Sequence, residues 1–133
     1  MENIALFMAR CEALAKKAAS KGNSKVGSII VVDGKIIAEA EEAVATKEDI
    51  SCHAEMEVIR KARKLLGKDM SSATLYSTKE PCVMCSYAIR FHKIGKVVYG
   101  EKSGVLGGIG LLVSEDIPNG WGSPVQCIQV KEF

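Results

Sequence analysis

The 133-residue chain is 47% hydrophobic and 26% charged, with a net charge of +2. That suits one soluble domain around a single core, spanning residues 1–133, and the small charge gives no whole-chain footprint of a nucleic-acid binder, although a local basic patch stays open. No apolar run is long enough to span a membrane, and five cysteines with no secretory signal fit a reducing compartment, the cytoplasm.

Ile4, Phe7, Cys11, Leu14 and Ala18 recur at three- and four-residue steps, with Met8 and Ala15 beside them. This predicts an amphipathic helix that Gly22-Asn23 ends, and it makes Cys11 a core residue. Val26 to Val32 and Lys35 to Ala40 are apolar, β-branched runs joined by Asp33-Gly34, a strong hairpin signal. Their near-continuous apolar character predicts strands covered on both faces. Residues 41–51 read as a polar loop that leads into His53. A second helix then runs to about Leu66, with Ala54, Val58, Ala62 and Leu65 along one stripe and Gly67 closing it.

Ala73 to Thr78 reads as a strand, and a third helix follows Pro81 to about His92. His92 there suits the helix dipole, and Arg90 and Lys93 read as solvated or interface positions. Lys96 to Tyr99 is another strand, 103–110 is glycine-rich, and Val125 to Val130 is a candidate last strand, with Cys127 in its core. Strands alternating with helices imply an α/β sheet with helices on its faces.

The chemistry lies in two short stretches, Cys52-His53-Ala54-Glu55 and Pro81-Cys82-Val83-Met84-Cys85. Zinc takes thiolate sulfur and imidazole nitrogen, and a catalytic zinc keeps one of four positions for water. His53, Cys82 and Cys85 supply three donors. Glu55 lies two residues after His53, about 200° around a helix, so the two would not bind one ion from one face. At a helix start both can point into a pocket beyond its end, which leaves the carboxylate free to carry protons. Pro81 is placed as the first helical residue, and thiolates at a helix N-terminus are favoured by the dipole. Alone, Cys82 and Cys85 would also suit a redox pair, which needs no H-x-E upstream. Cys52 reads as a buried small residue; as a fourth ligand it would close the site and make it structural.

H-x-E followed by P-C-x-x-C is the signature of zinc base deaminases, and on this order of elements the sequence resembles the cytidine deaminase-like superfamily over about residues 3 to 100. It is most similar to the branch of guanine deaminases, fungal-type cytosine deaminase and bacterial tRNA adenosine deaminases. The similarity is carried by the stretches Ala73 to Cys85 and Ile94 to Gly100, and by Asp49 ahead of the histidine. The resemblance implies a three-layer α-β-α sandwich with a mixed five-stranded sheet. It implies one Zn2+ per chain on His53, Cys82 and Cys85, Glu55 as general acid/base, and backbone N–H groups near Ala54 and Cys82 that hold the new oxygen. It also implies a homo-oligomer, a dimer or higher.

Two departures bear on substrate. Where that branch carries a substrate-contacting asparagine, an ungapped count back from His53 gives Glu42. An ionised carboxylate only accepts hydrogen bonds, so Glu42 in the pocket favours a substrate with N–H donors there. The chain also ends at Phe133 where relatives continue into a helix, which makes Trp121 a candidate aromatic lid. The expectation is therefore a small free base of the guanine, isocytosine or cytosine type, with no nucleic-acid or membrane partner. The alternatives are a tRNA adenosine-to-inosine deaminase, a cytidine deaminase, and a non-catalytic zinc-stabilised binding protein; Glu55 argues against the last.

Overall fold

The computed structural model describes residues 3–117 and 122–131. The elements run α1 (Ile4–Ser20), β1 (Gly27–Val32), β2 (Lys35–Glu41), α2 (Val44–Lys47), α3 (Ala54–Leu66), β3 (Thr74–Lys79), α4 (Val83–Phe91), β4 (Lys96–Glu101), α5 (Ile109–Val113) and β5 (Gln126–Gln129). A 3-10 turn, Gly104–Leu106, lies between β4 and α5.

The five strands form one sheet in the order β2-β1-β3-β4-β5. β1 is antiparallel to both β2 and β3, whereas β3-β4 and β4-β5 are parallel. Alternation along each strand sends successive side chains to opposite faces. Ile29, Val31, Tyr76 and Val98 meet Phe7, Met8, Cys11 and Leu14 of α1. Ile30, Leu75, Val97 and Tyr99 face Val58, Ile59 and Ala62 of α3, Ala88 and Ile89 of α4, and Leu112 of α5. The result is the expected three-layer α-β-α sandwich.

Local chemistry explains the element ends. Asn3 caps α1 by accepting from the Leu6 amide at 3.1 Å. The helix ends where Gly22 turns to φ +83° and the Asn23 amide returns to the Ala18 carbonyl. In the β1-β2 hairpin Asp33 and Gly34 both have positive φ, 51° and 76°, as a two-residue I′ turn requires. Gly27 marks the closest approach of α1 to the sheet. A Cβ there would lie 2.2 Å from the Cys11 carbonyl oxygen and 2.6 Å from the Leu14 Cβ. Gly27→Ala is therefore expected to cost about 1–3 kcal/mol by overpacking. A urea midpoint equal to the wild type's would contradict that approach.

Four readings are corrected. β2 is the sheet edge, with Lys35 and Ile36 exposed and only Ala38 and Ala40 buried along it, so it is not covered on both faces. The loop before His53 contains the single helical turn α2. Leu65 is 69% exposed, and Leu66 takes the core contact in the last turn of α3. Arg90 is not solvated: it is 2% exposed. Its Nη1 donates to the carbonyls of Leu111, Leu112 and Ser114 at 3.2, 2.9 and 2.9 Å, and its Nη2 donates to Gly122 O at 3.1 Å. Lys93 is exposed, as expected.

Candidate metal centre and active-site cavity

Two helix starts meet at the carboxyl end of β3. His53 is the N-cap of α3, with extended backbone at φ −62°, ψ 153°. Cys82 is the N-cap of α4, at φ −71°, ψ 178°. Pro81 thus stands one residue outside the helix, not at its first position. Cys85 is the third residue of α4, and side chains at the N-cap and third positions reach the same helix end.

Sγ of Cys82 lies 3.4 Å from His53 Nδ1, Sγ of Cys85 lies 3.5 Å from it, and the two sulfurs are 3.6 Å apart. Around a tetrahedral zinc, with Zn–S near 2.3 Å and Zn–N near 2.0–2.1 Å, such atoms stand about 3.8 Å apart for two sulfurs and about 3.6 Å for sulfur and nitrogen. The donor set therefore fits zinc in both chemistry and spacing. Among the described residues these three donors converge. Cys52 is buried beside them but outside the set, so the fourth position is left for water or substrate.

The environment favours thiolate at Cys82. Hydrogen bonding with Cys85 pulls the Cys82 thiol down to about 4, aided by His53 and by the Cys85 backbone amide. The same sharing, with burial, pushes Cys85 up, against which the Met56 amide stabilises its thiolate. His53 is raised by its bond with Cys82. Zinc would compete with protons for these three donor atoms, so its binding releases protons.

Glu55, in the first turn of α3, is 4% exposed and lines the same cavity as His53 and Cys82. Burial pushes its carboxyl up to about 7, opposed by its own backbone amide, by His53 and by a hydrogen bond with Ser77. The cavity holds about 270 Å³, at or below the small end of ordinary ligand pockets, ~300–1,000 Å³. Val26 and Leu106 supply apolar wall, and Ser24, Glu42, Lys79, Glu80 and Ser103 supply polar wall.

Glu42 faces this cavity. It is 6% exposed, and its Oε1 accepts from the Val44 amide at 2.7 Å. Ala54 is fully buried and lies outside the cavity lining. Trp121 falls outside the described residues. His92 is buried at the end of α4, with Nδ1 2.8 Å from Ala88 O and Nε2 3.2 Å from Arg63 Nη1, and takes no part in the cavity. Sequence reasoning missed Lys79, Glu80, Ser103 and Leu106. An acid directly before Pro81-Cys82 was the one available signal for Glu80; Ser103 and Leu106 depend on how the loop after β4 folds back, and Lys79 on where β3 ends.

Two thiolates, an imidazole, an open coordination position and a buried carboxylate within one small cavity define a zinc-dependent aminohydrolase site. Residues 1–101 match the cytidine and deoxycytidylate deaminase zinc-binding region, and the chain belongs to that family. It is 43% identical over 96 residues to a tRNA-specific adenosine deaminase of Aquifex aeolicus, covering 71% of this chain and 64% of that protein. It is 39% identical over 98 residues to a guanine deaminase of Bacillus subtilis, covering 72% of this chain and 63% of that one. The chain thus spans just under two thirds of both relatives. A solved structure from work on A-to-I editing by tRNA:A34 deaminases at the wobble position of transfer RNA superposes with a TM-score of 0.84 at 29% identity, covering 93% of this chain and 96% of that one.

The tRNA adenosine deaminases among these relatives overturn the expectation of no nucleic-acid partner. That expectation leaned on a net charge of +2, on Glu42 and on the chain end, and a whole-chain charge sum does not report how charge is distributed around one cavity mouth. No helix among the described residues is long and apolar enough to cross a membrane.

Proposed function

We propose that the protein deaminates adenosine to inosine in tRNA. The near end-to-end likeness to the tRNA:A34 deaminase structure carries the reading, together with a cavity sized for one heterocycle. A base inside folded RNA must be flipped out of its stack to enter such a cavity.

His53, Cys82 and Cys85 would hold the metal, which would supply Lewis-acid activation of water. Glu55 accepts a proton from the attacking water and delivers it to the ring nitrogen beside the amino-bearing carbon. A carbon–oxygen bond forms. Glu55 then passes the second water proton to the amino nitrogen, the carbon–nitrogen bond breaks, and ammonia leaves. The amide of Cys82, at the start of α4 and on the cavity wall, would hold the new oxygen.

The test is to incubate zinc-loaded protein with an anticodon stem-loop carrying adenosine at the wobble position, then digest it and quantify nucleosides. Inosine is expected with the wild type and not with Glu55→Gln. Ammonia from free guanine, with no inosine in the stem-loop, would reverse the reading.

Glu42 favours a second reading, a free base that presents N–H donors. A buried carboxylate on the cavity wall accepts from a ring or exocyclic N–H, and it can equally accept from a ribose hydroxyl. Glu42→Asn is expected to shift the ratio of kcat/KM for adenosine over guanine substrates by about tenfold, the scale of one hydrogen bond to a charged group. An unchanged ratio would remove Glu42 from substrate contact.

A further inference from the structure

Glu80 immediately precedes the metal-binding Pro81-Cys82 turn and is 8% exposed. No lysine or arginine among the described residues forms an ion pair with it. Its charge is met by backbone amides of the loop after β4: Oε1 accepts from Ser103 at 3.1 Å and Oε2 from Ile109 at 3.3 Å. The Ser103 hydroxyl returns to the Glu80 carbonyl at 2.7 Å. Two further links tie the same loop to the start of α4. Gly108 N donates to Pro81 O at 2.8 Å, and Gly107 forms an isolated antiparallel bridge with Cys82. A Cβ at Gly107 would lie 2.1 Å from Glu80 Oε2, so a side chain there would displace the carboxylate. Between these anchors the loop carries Leu106, 68% exposed and on the cavity wall.

We propose that Glu80 is a positioning residue whose carboxylate clamps loop 102–108 to the metal-binding turn, so that the wall made by Ser103 and Leu106 is fixed and sets which substrates the cavity admits. The inference rests on the deaminase reading above. A carboxylate does this where an amide does not. Ser103 and Ile109 both present donors, and the carboxylate offers an acceptor oxygen to each, whereas glutamine would turn its NH₂ toward one of them.

The experiment compares wild type, Glu80→Gln and Gly107→Ala, whose methyl displaces the same carboxylate. For each, zinc per chain, kcat and KM on the stem-loop, and hydrogen exchange at the Ser103 and Ile109 amides are measured. Both variants are expected to keep one zinc per chain, to exchange those two amides at least about tenfold faster, and to raise KM about tenfold with kcat changed less than about threefold. Faster exchange with unchanged KM overturns the proposal, as does zinc loss with a matching fall in kcat, which would mark a merely structural role. If one variant does not fold, the other decides. A wild type that turns over neither stem-loop nor free base instead overturns the proposed function, while the exchange data still report whether the clamp exists.

Discussion

Replacing Glu55 by glutamine is expected to lower kcat by about 10²–10⁴-fold, the usual contribution of a positioned acid–base group, while zinc stays bound. The three metal donors are on His53, Cys82 and Cys85, none of which the substitution touches. Glutamine keeps the shape of the side chain and its hydrogen bonding with Ser77, but it cannot take a proton from water or return one. A second consequence separates this role from packing. Glu55 is buried, and burial raises its carboxyl from 4.5 to about 7 in the metal-free chain. Between those values the folded state binds more protons than the unfolded one, so this group's effect on stability worsens as pH rises. Metal-free Glu55→Gln should therefore be more stable than wild type at pH 8, by on the order of 1–3 kcal/mol. The gain should fade toward pH 4.5. Thermal unfolding of the zinc-stripped proteins at the two pH values checks the sign, and steady-state rates check the loss of turnover. Wild-type rates in the variant would reject the proton-transfer role.

Arg90→Ala is expected to destabilise the fold by about 3–5 kcal/mol. The carbonyls of Leu111, Leu112, Ser114 and Gly122 lose a charged donor at once, and Leu112 O keeps only its bond from the Val125 amide. Each net bond to a charged donor is worth about 1.5–3 kcal/mol, and carbonyls left buried without partners cost more. The cavity left by the side chain adds to this. Four such bonds sum to about 6–12 kcal/mol, comparable with the total stability of a typical domain, about 5–15 kcal/mol, and relaxation around the freed carbonyls keeps the loss below that sum. Arg90→Lys should recover only part of it. An ammonium presents its donors from one nitrogen, whereas the guanidinium spans two groups of carbonyls with separate nitrogens. Urea midpoints of the three proteins test this. A loss below about 1 kcal/mol for the alanine variant would show that the carbonyls of Leu111, Leu112, Ser114 and Gly122 do not depend on Arg90.

The sequence was most legible where the determining chemistry is local. Asp33-Gly34 encodes its turn by itself, because both residues must take positive φ. The start of α3 and the metal donors were visible because each motif occupies one helix end, and H-x-E with P-C-x-x-C leaves little freedom once both ends meet. Contacts between distant residues were not legible. Arg90 reads as a surface cation in its own helix, and its acceptors lie 21 to 32 residues further on. Glu80 is an ordinary acid until the loop after β4 folds back on it. The place of β2 at the sheet edge follows from strand order, which its own apolar pattern does not encode. The expectation of no nucleic-acid partner failed for a related reason, since a net charge carries no position.

Zinc K-edge absorption on the purified protein tests the central claim most directly, that this is an open, catalytic zinc site. The account predicts one zinc per chain with two sulfurs at about 2.3 Å and two nitrogen or oxygen neighbours at about 2.0–2.1 Å, one of them from outside the protein. A closed shell with a third sulfur, drawn from Cys52, or a folded chain that binds no zinc at all, would contradict it.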